Sequence, residues 1–109
     1  MAVNGARAPE EMRDGMAKVT ILYWQNIPSL VEATDGDKPH KLQLSQRFQE
    51  LIDLIAMKKK LGGTDAYLEH WSKGKPEMRE GSASVAAAAT AEEIEARYEE
   101  IRAAALAGC

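Results

Sequence analysis

The sequence predicts an α+β fold: a small antiparallel sheet of about three strands packed against two or three helices, with a long C-terminal helix. Three observations predict it. Lys18–Trp24 is dense in β-branched and aromatic residues, which suit a pleated, half-buried surface. Leu44, Phe48, Leu51, Ile52, Ile55 and Ala56 recur at helical spacing, giving one broad apolar face. Residues 83–106 are rich in Ala and Glu and hold neither Gly nor Pro, the composition of a helix.

The elements follow in order. Residues 1–16 mix Gly, Pro, Ala and charge without period and read as a disordered lead. Met16 reads as an alternative start. Residues 17–109 read as one α+β domain. Lys18–Trp24 is expected to be a central strand, buried on both faces. Leu30–Thr34 is a second strand. Asp35-Gly36 then marks a turn, because Gly accepts the positive φ that a tight hairpin needs. His40–Leu44 alternates and returns as a third strand, entered through Pro39.

A helix is expected from Ser45 to Leu61, capped by the Ser45 hydroxyl and closed by the left-handed freedom of Gly62-Gly63. Lys58, Lys59 and Lys60 oppose the negative end of its dipole. Phe48, Ile52 and Ile55 are expected to pack on Val19–Tyr23. Thr64 restarts a helix as N-cap with Asp65 in its first turn. Tyr67, Leu68 and Trp71 should share its inner face, with Lys73–Pro76 as its end. Glu77–Glu80 is a candidate edge strand. One helix over about 83–106, capped by Ser82, would turn Val85, Ala88, Ala89, Ile94, Tyr98, Ile101 and Ala105 inward. Glu93 and Arg97 would pair at i,i+4.

The net charge is −3. Residues 1–61 carry nine basic and eight acidic side chains, whereas residues 62–109 carry five and nine. That balance predicts no nucleic-acid partner, since phosphate binding needs a surplus of Lys and Arg. The single cysteine, Cys109, rules out a disulfide within the chain and suits a reducing compartment. No apolar run is long enough to span a bilayer and no signal-peptide pattern is present, so the expected location is cytoplasmic, with no membrane partner.

Candidate chemistry is sparse. His40, His70 and Cys109 lack the ligand number and spacing of a zinc site, so neither a metal nor a cofactor is expected. Asp53, Asp65 and Glu69 could meet where two helices join at Gly62-Gly63, and paired carboxylates can divide acid and base roles. Capping and solvated helix faces account for the same residues. Tyr23 and Trp24 alternate along a strand and so point to opposite faces. Trp24 and Trp71 are candidate contact aromatics, though large aromatics of small domains also build cores.

The run Tyr23-Trp24-Gln25-Asn26-Ile27-Pro28-Ser29-Leu30-Val31 resembles the opening of a bacterial "virulence factor" domain family. Arg47-Phe48-Gln49-Glu50-Leu51-Ile52-Asp53, Ala56-Met57, and Gly63-Thr64-Asp65-Ala66-Tyr67-Leu68-x-x-Trp71 resemble later motifs of the same family, in the same order and spacing. Family members often carry Arg-Asp where Gln25-Asn26 stand here. The resemblance implies a module that sits beside others in a larger conserved virulence factor, with no reaction attached to it. It also implies free-standing members that serve one-carbon and corrinoid methyl transfer.

Together these readings predict a non-enzymatic accessory or protein-interaction domain whose protein partner is a methyl-transfer enzyme. The surface to inspect is Trp24, Arg47, Asp53, Asp65, Tyr67 and Trp71. The alternative is a small enzyme or enzyme subunit with a polar pocket around Arg47, Asp53 and Asp65.

Overall fold

The computed structural model describes residues 15–36 and 39–108. Residues 1–14 of the lead, residues 37–38 and Cys109 lie outside the described residues. The order is β1 (Met16–Trp24), β2 (Ile27–Thr34), β3 (His40–Gln43), α1 (Gln46–Lys58), α2 (Asp65–Glu69), β4 (Trp71–Lys73), β5 (Glu77–Glu80), α3 (Ala83–Ala96) and α4 (Tyr98–Ala107).

The fold is α+β, with an antiparallel five-stranded sheet rather than one of about three strands. β1 is central. It pairs with β2 along one edge, and its other edge is shared by β4 at one end and β5 at the other. Trp71 and Ser72, expected in the helix that Lys73–Pro76 ends, instead form a strand with Lys73: β1 offers them an unpaired edge, and those hydrogen bonds override a short helix that could add little. The candidate strand at Glu77–Glu80 is present.

Alternation along β1 and β2 fixes two faces. Ala17, Val19, Val31 and Ala33 are buried on one. Lys18, Thr20 and Leu22, opposite Thr34, Glu32 and Leu30, remain half-exposed on the other. β1 is thus buried on one face over residues 17–22, and on its other face only at its end, where Trp24 is fully buried against Tyr67 and His70. Its register shifts at Leu22/Tyr23. The buried Ser29 beside this bulge uses its carbonyl to accept from the Leu44 amide and the Gln43 side chain.

Phe48, Leu51, Ile52, Ile55 and Ala56 are buried on α1, the face expected from spacing. Their floor is different. α1 packs on β2 and beside α4, whereas α3 crosses β1, β2 and β3. The reason is side-chain size: Ala83, Ala86, Ala87 and Ala91 are the buried positions of α3, and their small side chains let its backbone approach the sheet closely. Val85 is 58% exposed and Ala88 is also outside, so the expected stripe fails over its first turns, whereas Ile94 is buried and Tyr98, Ile101 and Ala105 pack against the core as expected.

Ser82 caps α3, its hydroxyl accepting from the Val85 amide. Asp35, from the β2–β3 turn, accepts from the Ala83 amide, so two carboxylate or hydroxyl oxygens meet the free donors of this terminus. Thr90 is buried mid-helix and donates to the Ala86 carbonyl. The C-terminal helical run is long but divided at Arg97 (φ −101°, ψ 11°). The expected Glu93–Arg97 pair does not form. Glu93 binds Arg79 on β5, and Arg97 binds Glu100.

Candidate functional site

Three of the sequence candidates are structural. Trp24 is fully buried. Its ring lies 5.4 Å from those of Tyr67 and His70, and its indole N–H donates to the Tyr67 carbonyl at 2.8 Å. Tyr67 also packs edge-on to Trp71. The α2–β4 segment is thereby held over Trp24. Tyr67 and Trp71 turn inward as expected, but Leu68 is 65% exposed, because adjacent residues on a one-turn helix cannot all face one way.

Arg47 ties the start of α1 to the end of α3. Its guanidinium binds the Glu95 carboxylate at 3.0 Å and the Glu95 carbonyl at 2.8 Å, and lies 4.3 Å from the Tyr98 ring centre. Ser45 joins the same cluster. Its hydroxyl makes no cap bond but donates to Glu95 at 2.8 Å, and its amide donates to that carboxylate at 2.6 Å. Burial raises the Glu95 pKa, but the Ser45 amide and hydroxyl and the Arg47 guanidinium together hold it below its ordinary value.

A group so depressed contributes stability above the unfolded pKa of about 4.3 and loses it as pH falls through the folded value. Glu95→Gln is therefore expected to cost about 1 kcal/mol at pH 7, as for a partly exposed pair. The difference from wild type should fade from about pH 5 toward pH 3. Urea unfolding across that range measures it, and a pH-independent difference would show that the carboxylate charge is not its source.

Asp53 and Asp65 stand apart from this clamp. Asp53 is exposed and accepts from Gln49 one turn earlier on α1. Asp65 is exposed in the first turn of α2, beside Thr64, whose hydroxyl accepts from the Tyr67 amide and donates to the Leu61 carbonyl. The α1–α2 joint holds a shallow groove of about 300 Å³ lined by Asp53, Met57, Gly62, Gly63 and Tyr67. Arg47 and Asp65 do not line it. The chain leaves α1 through Lys60 (φ 58°) and then Gly63 (φ 76°). The first left-handed residue is thus a lysine, not a glycine. Met57 is 74% exposed at this joint, and Leu54, one turn back on α1, is exposed too.

A larger cleft escaped sequence reasoning. It has a volume of about 630 Å³ and opens between the β1–β2 hairpin end and the α3–α4 break. Ile21, Tyr23 and Pro28 line it from the sheet, and Thr90, Ile94 and Ile101 from the helices. Tyr23 lies over Gly74, where a Cβ would come 2.8 Å from the ring. Its polar rim is Gln25, Asn26, Lys73, Arg79, Glu93 and Arg97.

Gln25 is left-handed (φ 56°), unusual for a residue with a side chain. Its amide donates to the His70 carbonyl, and its side-chain oxygen accepts from Lys59. The legible signal was Gln25-Asn26 as a two-residue turn between strands. The rest of the cleft joins residues 21–28, 72–79 and 90–101, which no local pattern links. Among the described residues no group of three His, Cys, Asp or Glu side chains could hold a metal ion, and no helix is long and apolar enough to cross a membrane.

This geometry defines a small α+β domain with surface grooves at a helix joint and at a hairpin end. The chain matches the family model described as Virulence factor over residues 22–107, and it belongs to that family. No match was found among curated proteins or solved structures.

Proposed function

We propose that this protein is a non-enzymatic accessory domain that binds another protein through the α1–α2 joint. One observation carries the reading: Met57 and Leu68 are 74% and 65% exposed on the two helices that meet there, beside a groove floored by Ala56 and Tyr67. Met57 lines that groove and Leu68 follows Tyr67, which lines it too; exposed apolar groups beside a groove suit a contact surface. The joint is held from beneath by the Trp24 indole bond to Tyr67, so a partner would meet a preformed shape and lose less entropy on binding. Met57 can adapt to an opposing surface.

Asp53 on the groove edge, with Lys58 and Lys59 near the end of α1, would set orientation rather than affinity. The partner class implied by the family resemblance is a methyl-transfer enzyme. Met57→Glu combined with Leu68→Glu is expected to abolish co-purification of a partner that wild type enriches from the native cell. Both positions are exposed, so thermal stability should change little. Unchanged capture by this folded double variant would refute the joint as the contact. Recovery of no methyl-transfer enzyme among the captured proteins would refute that choice of partner.

A further inference from the structure

We infer that the outer face of α1 pairs with the same face of a second copy of this chain. The feature that carries it is a row of three residues, Glu50, Leu54 and Lys58. They stand four apart, so they form one ridge along the helix. All three are exposed, Leu54 at 37%, and Met57 beside them is exposed at 74%. α1 turns Phe48, Leu51, Ile52, Ile55 and Ala56 to the core and leaves this side bare. The inference is independent of the partner proposed above, because none of Glu50, Leu54 and Lys58 lines the α1–α2 groove.

The order of the row makes it complementary to itself. Leu54 is the midpoint, with an acid four residues before it and a base four residues after it. In a two-fold contact one patch meets its own copy, so that residue i touches j and j touches i. Set antiparallel, Glu-Leu-Lys meets Lys-Leu-Glu. Leu54 packs on Leu54 of the second copy, and each Glu50 reaches the other copy's Lys58. A parallel contact in register would oppose Glu50 to Glu50 and Lys58 to Lys58, so the charges select the antiparallel arrangement. Interdigitation of such ridges is the commonest way that helices cross in globular proteins.

Neither charge is engaged within the chain. Eight residues of helix hold them about 12 Å apart along the axis, beyond the three- and four-residue spacings at which helical side chains meet. Among the described residues neither Glu50 nor Lys58 makes an ion pair. Their neighbours Arg47, Asp53 and Lys59 already bind Glu95, Gln49 and Gln25. Pairing also covers Leu54 and the flank of Met57, removing apolar surface from water. One helix face is smaller than the roughly 1,200–2,000 Å² of a stable complex, so the dimer is weak and forms at high protein concentration.

Sedimentation equilibrium over a concentration series tests the pairing. Wild type should pass from monomer to dimer with a Kd on the order of 0.1 mM. Glu50→Lys and Lys58→Glu each turn two attractive contacts into two repulsive ones, so each should weaken the dimer about tenfold. Both positions are exposed, so the variants should fold. Placing both changes in one chain should restore wild-type pairing, because the row then reads Lys-Leu-Glu. Mixing the two single variants should give a heterodimer tighter than either homodimer. Leu68→Glu, on α2 and outside the row, should leave the dimer unchanged even where it removes the partner proposed above. A wild-type chain still monomeric at about 1 mM, single swaps that leave the dimer intact, a double swap that fails to restore it, or a dimer lost with Leu68→Glu would each overturn the inference.

Discussion

Trp24→Ala is expected to be among the most damaging single changes in the chain, costing about 3–5 kcal/mol. Trp24 is fully buried, so the change empties a large volume that Tyr67, His70 and Ile27 cannot easily refill. It also leaves the Tyr67 carbonyl without the indole donor that now reaches it at 2.8 Å. Trp24→Phe separates the two contributions. It keeps most of the ring, so its cost should fall nearer the 1–3 kcal/mol typical of an unsatisfied polar group. Urea unfolding gives both values. A cost under about 1 kcal/mol for Trp24→Ala would show that the α2–β4 segment is not anchored there.

Phe48→Ala should cost about as much, roughly 3–5 kcal/mol, but the damage should spread differently. Phe48 is buried on α1 and meets the Tyr98 ring edge-on at 5.1 Å. The Arg47 guanidinium lies over that same Tyr98 ring and binds Glu95. Removing Phe48 therefore loosens the seat of α4, which has no fully buried residue of its own. Amide hydrogen exchange should accelerate first in residues 98–107, before α3 and the sheet follow at the global rate. Uniform acceleration across the sheet and α4 would show that the two helices are not separable in this way.

The parts of the fold that could be read in advance are those with local causes. The α1 face follows from apolar spacing alone, and the Thr64 and Ser82 caps follow from side-chain chemistry at a helix start. β1 was recognisable from composition. The misreadings share a different cause. Trp71–Lys73 is a strand because β1, far away in sequence, supplies its hydrogen-bond partners. The α3 stripe could not be phased by eye, because a run of alanines carries almost no contrast between its faces; Val85 looked like an anchor and is exposed. Ser45 sits at a helix start, yet its hydroxyl is drawn to Glu95 from another helix. Of the candidate surface, Trp24, Tyr67 and Trp71 form one cluster and Asp53 borders the joint. Arg47 belongs to a separate clamp, and Asp65 to the α2 start. The hairpin-end cleft was invisible because three distant segments build it.

The sharing of one edge of β1 between β4 and β5 has a consequence for how the protein is made. On the ribosome, β1, β2 and β3 are synthesised before residues 71–80 exist. The two hairpins can close early, but β1 then presents a bare edge next to the apolar run Val19–Trp24. From Gln43 to Glu80, at ordinary elongation rates, that interval lasts roughly 2–7 s. An unpaired strand edge of this composition is a template for pairing with other chains. The hazard ends only when the segment after α2 arrives to cover it. Nascent chains stalled between β3 and β4 are accordingly the form of this protein most prone to aggregate, and the finished molecule carries no trace of that risk in its central strand.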